Sequence, residues 1–379
     1  MRVAIVTECF TPTWNGVTNS VVRVVDHLER RGHDVVVVAP GLGPSRCGPS
    51  GSTAVERVPA LRLPAYRSLP VGLPTPGVRR ALERFGPDIV HLAAPVVLGE
   101  VAGRAAQEMK VPAIAVYQTD LAGFARRYGL GMTSAATWAW LCRVHGRAAL
   151  TLAPSSLAEW DLRRHGIDRV ARWCRGVDLD RWHPRHRDRA LRRRLLEPGG
   201  RFLVGYSGRL ALEKQIRHLS HLAGMPGVRV VIVGDGPARE RLTRQLPEAR
   251  FLGYRSGADL ATTVASLDAF VHTGPHETFC QAIQEALAAG VPVIAPAAGG
   301  PLDLIHHGRT GWLYPSDSPE LIRSAVHALR EDPALARAMG REGRASVAQR
   351  SWSAIGDELV DHYSRGIGGH QATTTLRAA

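Results

Sequence analysis

An α/β fold of two consecutive, doubly wound parallel sheets is what the sequence predicts. Three observations carry that expectation. Short runs apolar at every position, such as 3–6 (VAIV) and 35–39 (VVVVA), alternate with amphipathic stretches. A strand apolar on both sides belongs in a parallel sheet covered on both faces. The alternation breaks at 163–194, which hold twelve arginines, and then begins again. A length of 379 residues suits two domains of ordinary size.

Strand 3–7 (VAIVT) opens the chain and a polar, glycine-containing turn follows at 12–16. A helix from about 19 to 31 comes next, with Val21, Val22, Val25 and Leu28 on one side of its 3.6-residue turn. Gly32 ends it and 35–39 form the second strand. The pattern recurs as helix 77–85, strand 88–92 (DIVHL), helix 98–109, strand 112–117 (PAIAVY), a helix near 133–147 and strand 149–153. Part of 163–194 reads as a linker. The second series is strand 202–207 (FLVGYS), helix 214–223, strand 228–233 (VRVVIV), helix 238–246, strand 250–252, helix 257–266 and strand 268–272. Helix 278–289, strand 291–295 (VPVIA) and helices 318–330 and 333–349 complete it. The expected division is 1–175, with a crossover helix at about 352–366 returning to it, then 176–351, and a flexible tail over 367–379 with little to bury. A crevice is expected between the two domains.

Composition excludes several classes. With 45% hydrophobic and 22% charged residues, the chain is neither disordered nor fibrous. Cys9, Cys47, Cys142, Cys174 and Cys280 are odd in number, widely spaced and lack C-x-x-C, so they read as reduced thiols rather than a disulfide or zinc framework. The first residues lead straight into a strand without a signal-peptide pattern, and no apolar stretch nears the ~20 residues of a membrane span. A cytoplasmic, non-spanning protein is expected. The net charge of +14 favours anionic partners. Only Lys110 and Lys214 are lysines, and an arginine bias along a whole chain also follows from base composition. The arginines are not interleaved with aromatics, which argues against nucleic acid.

Two segments could carry chemistry. In GYSGRLALEK (205–214) a strand ends in a glycine turn with Arg209, and Lys214 stands five residues on. At the carboxyl edge of a parallel sheet, two cations and free amides would hold a diphosphate, although a plain βα turn with a solvated polar face has the same letters. In HTGPHETFCQAIQEALAAGVPVIAPAAGGPLDL (272–304), Glu277 stands just before a helix that Thr278 could cap. Glu285 lies eight residues on, about 12 Å along a regular helix, too far for an acid/base dyad but suited to gripping two ends of one ligand. Two solvated glutamates remain the plain alternative.

Glu277-x7-Glu285 with Gly208-Arg209-Leu210-x-x-Glu213-Lys214 resembles the signature of the retaining family 4 glycosyltransferases. The resemblance extends over about residues 2–365 and includes FTPTWNGVTNSVVRV (10–24), VYQTDLAGFARRYGL (116–130) and the RGVD turn (175–178). These stretches look like the actinobacterial GDP-mannose-dependent α-mannosyltransferases that act on glycolipid or related acceptors. The resemblance implies two Rossmann-like domains facing a central cleft, the GT-B architecture, with a nucleotide-sugar as co-substrate, no other cofactor and no metal. It implies that Gly16 brings an amide to the sugar phosphate, Arg209 and Lys214 neutralise the diphosphate, Glu277 holds sugar hydroxyls and Glu285 the ribose. Thr278, Phe279 and Cys280 then belong to the donor side, and Gly234, Gly236 and Tyr254 lie where the family places the base. Gln118 stands where related branches carry histidine, which leaves Asp120 as the acceptor-side polar residue. A glycolipid or glycan acceptor with GDP-mannose as donor, or alternatively a UDP-sugar with a small-molecule or natural-product acceptor, and a peripheral place at the inner face of the plasma membrane complete what is implied.

Other patterns are weaker. Asp178-Leu179-Asp180 spells the D-x-D of metal-dependent transferases but follows a turn rather than a strand. Gly234-x-Gly236 lacks the third glycine of a dinucleotide fingerprint, since Arg239 stands there, so an oxidoreductase is the lesser reading. His91 and His276 are the histidines expected near the crevice, and a lone histidine there is more often structural than catalytic.

Overall fold

Strand β1 (Arg2–Thr7) is buried from residue 3 onward and its side chains divide between two cores. Val3 and Ile5 pack with Val21, Val24 and Leu28 of the helix Gly16–Arg30 and with Ile355, Leu359 and Tyr363 of the last helix. Ala4 and Val6 pack with Leu82, Leu98 and Ala102 from the helices Pro76–Phe85 and Leu98–Glu108. Both faces of one strand are thus covered, which is why the run is apolar throughout. The computed structural model describes all residues except 63–69, 122, 124–133, 198 and 379.

The chain forms two units, Met1–Arg175 with Trp352–Ala379, and Gly176–Ser351. In the first, β2 (Asp34–Pro40), β3 (Arg46–Cys47) and β4 (Thr53–Val58) extend one side of β1; β5 (Ala60–Arg62) and β6 (Pro70–Gly72) pair separately. On the other side lie β7 (Ile89–Ala93), β8 (Ala113–Val116), β9 (Leu150–Ala153) and β10 (Val170–Arg172), giving the order β10-β9-β8-β7-β1-β2-β4-β3. Pairing is parallel throughout that sheet except β3 with β4, which run antiparallel.

In the second unit β11 (Phe202–Ser207), β12 (Val228–Val233), β13 (Arg250–Gly253), β14 (Ala269–Val271), β15 (Val293–Pro296) and β16 (Gly311–Tyr314) form an all-parallel sheet ordered β13-β12-β11-β14-β15-β16. The strand order reverses between β11 and β14, and ligands of such sheets bind outside the carboxyl ends at that point.

The structure corrects several sequence expectations. The first helix begins at Gly16 rather than 19, because Asn15 caps it and accepts from the amides of Val17 and Thr18. The stretch 163–194 is more than linker: it holds β10 and the helix Arg189–Leu196, and Arg187 and Arg192 within it pair with Asp268 just before β14. Strands β3–β6, in a Gly-, Pro- and Ser-rich region to which the sequence assigns no element, and β16 add to the expected strands. The expected helix 214–223 is instead two 3₁₀ segments, Leu212–Lys214 and Ile216–Leu222, separated by the left-handed Gln215. The last helix, Trp352–Ala378, continues through the expected tail, where no proline interrupts its hydrogen bonding.

Candidate active site

Three loops meet at the carboxyl edge of the second sheet. After β11, Gly208 donates to Val233 O (3.0 Å) and Leu210 to Asp235 O (2.9 Å); after β12, Gly234 donates to Gly253 O (2.8 Å) beyond β13. These bonds tie the loops that carry Arg209, Gly234, Gly236 and Tyr254 to one rim. Arg209 is exposed, and Tyr206 Oη donates to its carbonyl (3.3 Å), holding the turn. Tyr254 is 67% exposed. Gly234 has φ of 132°, and a Cβ on it would lie 1.9 Å from Gly208 O. Gly234→Ala is expected to cost about 2–4 kcal/mol, through strain and a backbone clash that no rotamer relieves. Urea unfolding measures it, and an unchanged midpoint would show that the two loops are free to part.

Lys214 and Glu277 meet at the switch point between β11 and β14. Lys214 Nζ donates to Glu277 Oε1 at 2.5 Å, and both side chains are largely buried. His272 Nε2 stands 3.2 Å from the same oxygen, out of line for a hydrogen bond, on a ring nearly parallel to that of Tyr206. Burial alone would raise the Glu277 carboxyl, but the Lys214 ammonium and His272 outweigh it and hold the group well below the usual carboxylate range. Burial likewise pulls Lys214 and His272 down, and the acidic partners more than reverse it: Glu277 for Lys214, Cys280 with Glu277 for His272. The cluster is therefore a buried carboxylate held charged by cations. Thr273 Oγ1 donates to Lys214 O (2.6 Å), locking the two loops together.

The segment after β14 departs from expectation. The helix is Gln281–Ala288, not 278–289, and Thr278 does not cap it. Cys280 occupies the cap position with φ of 82°, a left-handed conformation that residues with a Cβ seldom adopt and that no sequence pattern announced. Thr278 and Phe279 thus belong to a loop, in which Phe279 and Cys280 are buried. Gly300 holds that loop: its amide donates to Glu277 O (2.7 Å), and a Cβ on it would fall 2.0 Å from Phe279 O. Glu277 and Glu285 therefore do not share one helix, so the spacing along a regular helix does not apply. Glu285 lies half-buried one turn into the helix.

His272, Glu277 and Cys280 offer ligand atoms within 4.8 Å of one another. A metal ion there would have to displace Lys214, whose ammonium already sits on Glu277. Asp178 faces Arg181, and Asp180, its side chain 94% exposed, faces Arg185, so the D-x-D pair converges on nothing.

The first unit assembles its own polar group. Gly16 opens its helix with the Arg175 guanidinium beside it, and Arg175 Nη2 donates to Gln118 Oε1 (2.8 Å). Asp120 is half-buried, and its Oδ1 accepts from the amide of Gly123 (2.7 Å). His91 plays no part: it is buried with Nδ1 2.7 Å from Tyr363 Oη, and burial pulls it down to about 3. His276 is exposed. Sequence reading passed over His272, although the run HTGPH sets two histidines four apart, and over Arg175 as the partner of Gln118. Of the clustered arginines of the first unit that the sequence suggests for an anionic lipid surface, Arg79 pairs with Glu83 and Glu108, Arg80 is exposed, and Arg126 and Arg127 lie outside the described residues.

Residues 14–181 match the profile of Glycosyltransferase Family 4, and residues 188–346 that of Glycosyl transferases group 1. A GDP-mannose-dependent alpha-mannosyltransferase of Mycolicibacterium smegmatis is 49% identical over 385 residues, covering 100% of both chains. A protein of the same description from Corynebacterium glutamicum is 47% identical over 369 residues, 96% of this chain and 89% of that one. Among solved structures, Anabaena HepE in complex with UDP aligns at a TM-score of 0.78 over 96% of this chain and 100% of that one; at 20% identity the likeness concerns the fold.

Proposed function

Since the chain belongs to the family 4 glycosyltransferases, with Rossmann-like units of the GT-B type, we propose that it transfers mannose from GDP-mannose, with retention of configuration, to a lipid-linked or other glycan acceptor. The meeting of Lys214 and Glu277 at the strand-order reversal, beside the Arg209 turn, is the observation that carries this reading. In the proposed reaction the acceptor oxygen bonds to the anomeric carbon as the bond to the diphosphate oxygen breaks. The acceptor proton passes to the departing phosphate on the same face. Charge grows on the leaving group, and fixed cations aimed there lower the barrier. Arg209, exposed on its turn, suits that task directly. Lys214 serves both the leaving group and Glu277, which it keeps ionised so that the carboxylate can accept from sugar hydroxyls. Gln118 and Asp120 of the first unit stand on the acceptor side of the proposal. The test is a panel of nucleotide-sugars with release of GDP or UDP as the readout. Release from GDP-mannose is expected, and release only from UDP-sugars would assign the other donor class.

The proposal needs no metal, because two basic side chains replace it at the diphosphate. Turnover is therefore expected to continue in EDTA; loss that Mg²⁺ or Mn²⁺ restores would overturn this part.

A peripheral place on the inner face of the plasma membrane is also proposed. No described helix is long and apolar enough to cross a membrane, while the net charge of +14 favours anionic lipid. Arg80, rather than the ion-paired Arg79, is the better candidate contact on its helix. Binding to phosphatidylglycerol vesicles is expected to weaken between about 0.05 and 0.5 M salt, as screening shortens the reach of exposed charge. Equal binding to neutral vesicles would remove the electrostatic argument.

A further inference from the structure

A second concentration of positive charge lies at the opposite edge of the sheet that carries Lys214 and Glu277. A groove of about 1210 Å³ opens at the amino ends of β11, β12, β14 and β15, where Phe202, Gly227, Asp268 and Pro292 line it. β11 alone is six residues, so about 20 Å of strand separates this edge from the Arg209 turn. Six arginines line the groove, Arg187, Arg201, Arg330, Arg337, Arg341 and Arg344, against only two acids, Asp268 and Glu331. Both acids are already neutralised, Asp268 by Arg187 and Arg192 and Glu331 by Arg330. Arg344 is spent on the carbonyls of Trp182 and Ala288. Arg201, Arg337 and Arg341 are exposed, and their guanidinium groups make no ion pair or hydrogen bond with the described residues. Arg337 and Arg341 stand four apart on the helix Pro333–Val347 and so present to one side.

We propose that this groove binds a small polyanion carrying two or more phosphate groups. Three uncommitted guanidinium groups around one concavity match phosphate oxygens, which they can meet in bidentate fashion. The volume far exceeds what one phosphate fills. Phe202, the single aromatic side chain lining the groove, is 8% exposed, so no aromatic face is offered to a nucleobase, and the phosphates are the chemistry the groove is proposed to recognise. The helix Gln281–Ala288 links the two edges: it begins just after the Glu277 loop, and Ala289 and Gly290 beyond it line the groove.

Calorimetric titration of the full chain with tripolyphosphate, at saturating GDP so that a donor site is filled, tests the proposal. One site is expected, unaffected by Arg209→Ala. The triple variant Arg201→Ala/Arg337→Ala/Arg341→Ala is expected to bind at least about tenfold more weakly, from loss of charge-assisted contacts. A control of equal charge, Arg189→Ala/Arg193→Ala/Arg241→Ala, should bind as the unsubstituted chain does. A parallel arm uses vesicles containing a phosphorylated phosphoinositide. If only vesicles bind and only the groove variant loses them, the phosphates belong to a lipid headgroup and the groove assignment stands. If the groove variant matches the unsubstituted chain in both arms, if neither probe binds, or if GDP displaces tripolyphosphate, the proposal is overturned.

Discussion

Arg209→Ala lowers turnover by about 10²–10³-fold with the melting midpoint unchanged, whereas Lys214→Ala loses turnover and stability together; that is the expected contrast between the two cations. Arg209 is exposed on its turn, and the Tyr206 hydroxyl holds its backbone carbonyl rather than its side chain. Removing the guanidinium from this exposed turn is expected to delete the charge proposed to face the leaving group while leaving the fold intact. Lys214 is different, because its ammonium is the partner of a buried carboxylate at 2.5 Å. Without it Glu277 keeps only His272, and breaking one side of a buried pair costs about 3–5 kcal/mol. Thermal melts with single-turnover rates separate the two effects. Equal melting of both variants at reduced turnover would mean that the Lys214–Glu277 contact does not support the fold; unchanged turnover in Arg209→Ala would place the diphosphate elsewhere.

Glu277→Gln is expected to lower kcat strongly while GDP still binds, and Glu285→Gln to weaken GDP itself. A contact with the transferred sugar changes as the anomeric carbon becomes cationic, so its loss appears in kcat. A ribose contact is the same before and during reaction, so its loss appears in affinity. The amide keeps the shape of Glu277 but strands Lys214 without a counter-charge, and a lower melting midpoint should accompany the kinetic loss. The pH dependence follows in sign. Glu277 is held below its ordinary value of 4.5, so its stabilising contribution is complete above that pH and fades as acid protonates it. Glu277→Gln should therefore flatten the acid limb of the stability curve. Loss of GDP affinity in Glu277→Gln but not in Glu285→Gln would reverse the roles.

Local pattern made most of the fold legible. Strands such as 202–207 and 228–233 show themselves because both faces are covered, so every position is apolar. Strands β3–β6 did not, because an edge region with glycine, proline and serine carries no such signature. At the site, Arg209, Lys214 and Glu277 could be named from the resemblance, but the contact between Lys214 and Glu277 spans 63 residues and exists only because β14 lies against β11. His272 hid at the end of an apolar strand. The late start of the helix at Gln281 hid because it depends on the left-handed Cys280 at the cap position and on Gly300, further along the chain, whose amide holds the loop at Glu277. Sequence supplies residue types and local periodicity; contacts between loops of neighbouring strands follow from sheet order.

The first unit is closed by the last helix, and this sets an order on biosynthesis. Ile355, Leu359 and Tyr363 belong to the core built around Val3 and Ile5, and Tyr363 supplies the hydroxyl beside buried His91. A ribosome making this chain from the amino end produces the β1 sheet early but its final covering last. Gly176–Ser351, continuous in sequence, has all its residues in hand while the first unit still waits for its own. Until the helix from Trp352 has emerged, one face of that first sheet carries uncovered apolar surface, the condition in which nascent chains aggregate or recruit chaperones. A premature stop after residue 351 would thus harm the part of the protein made first.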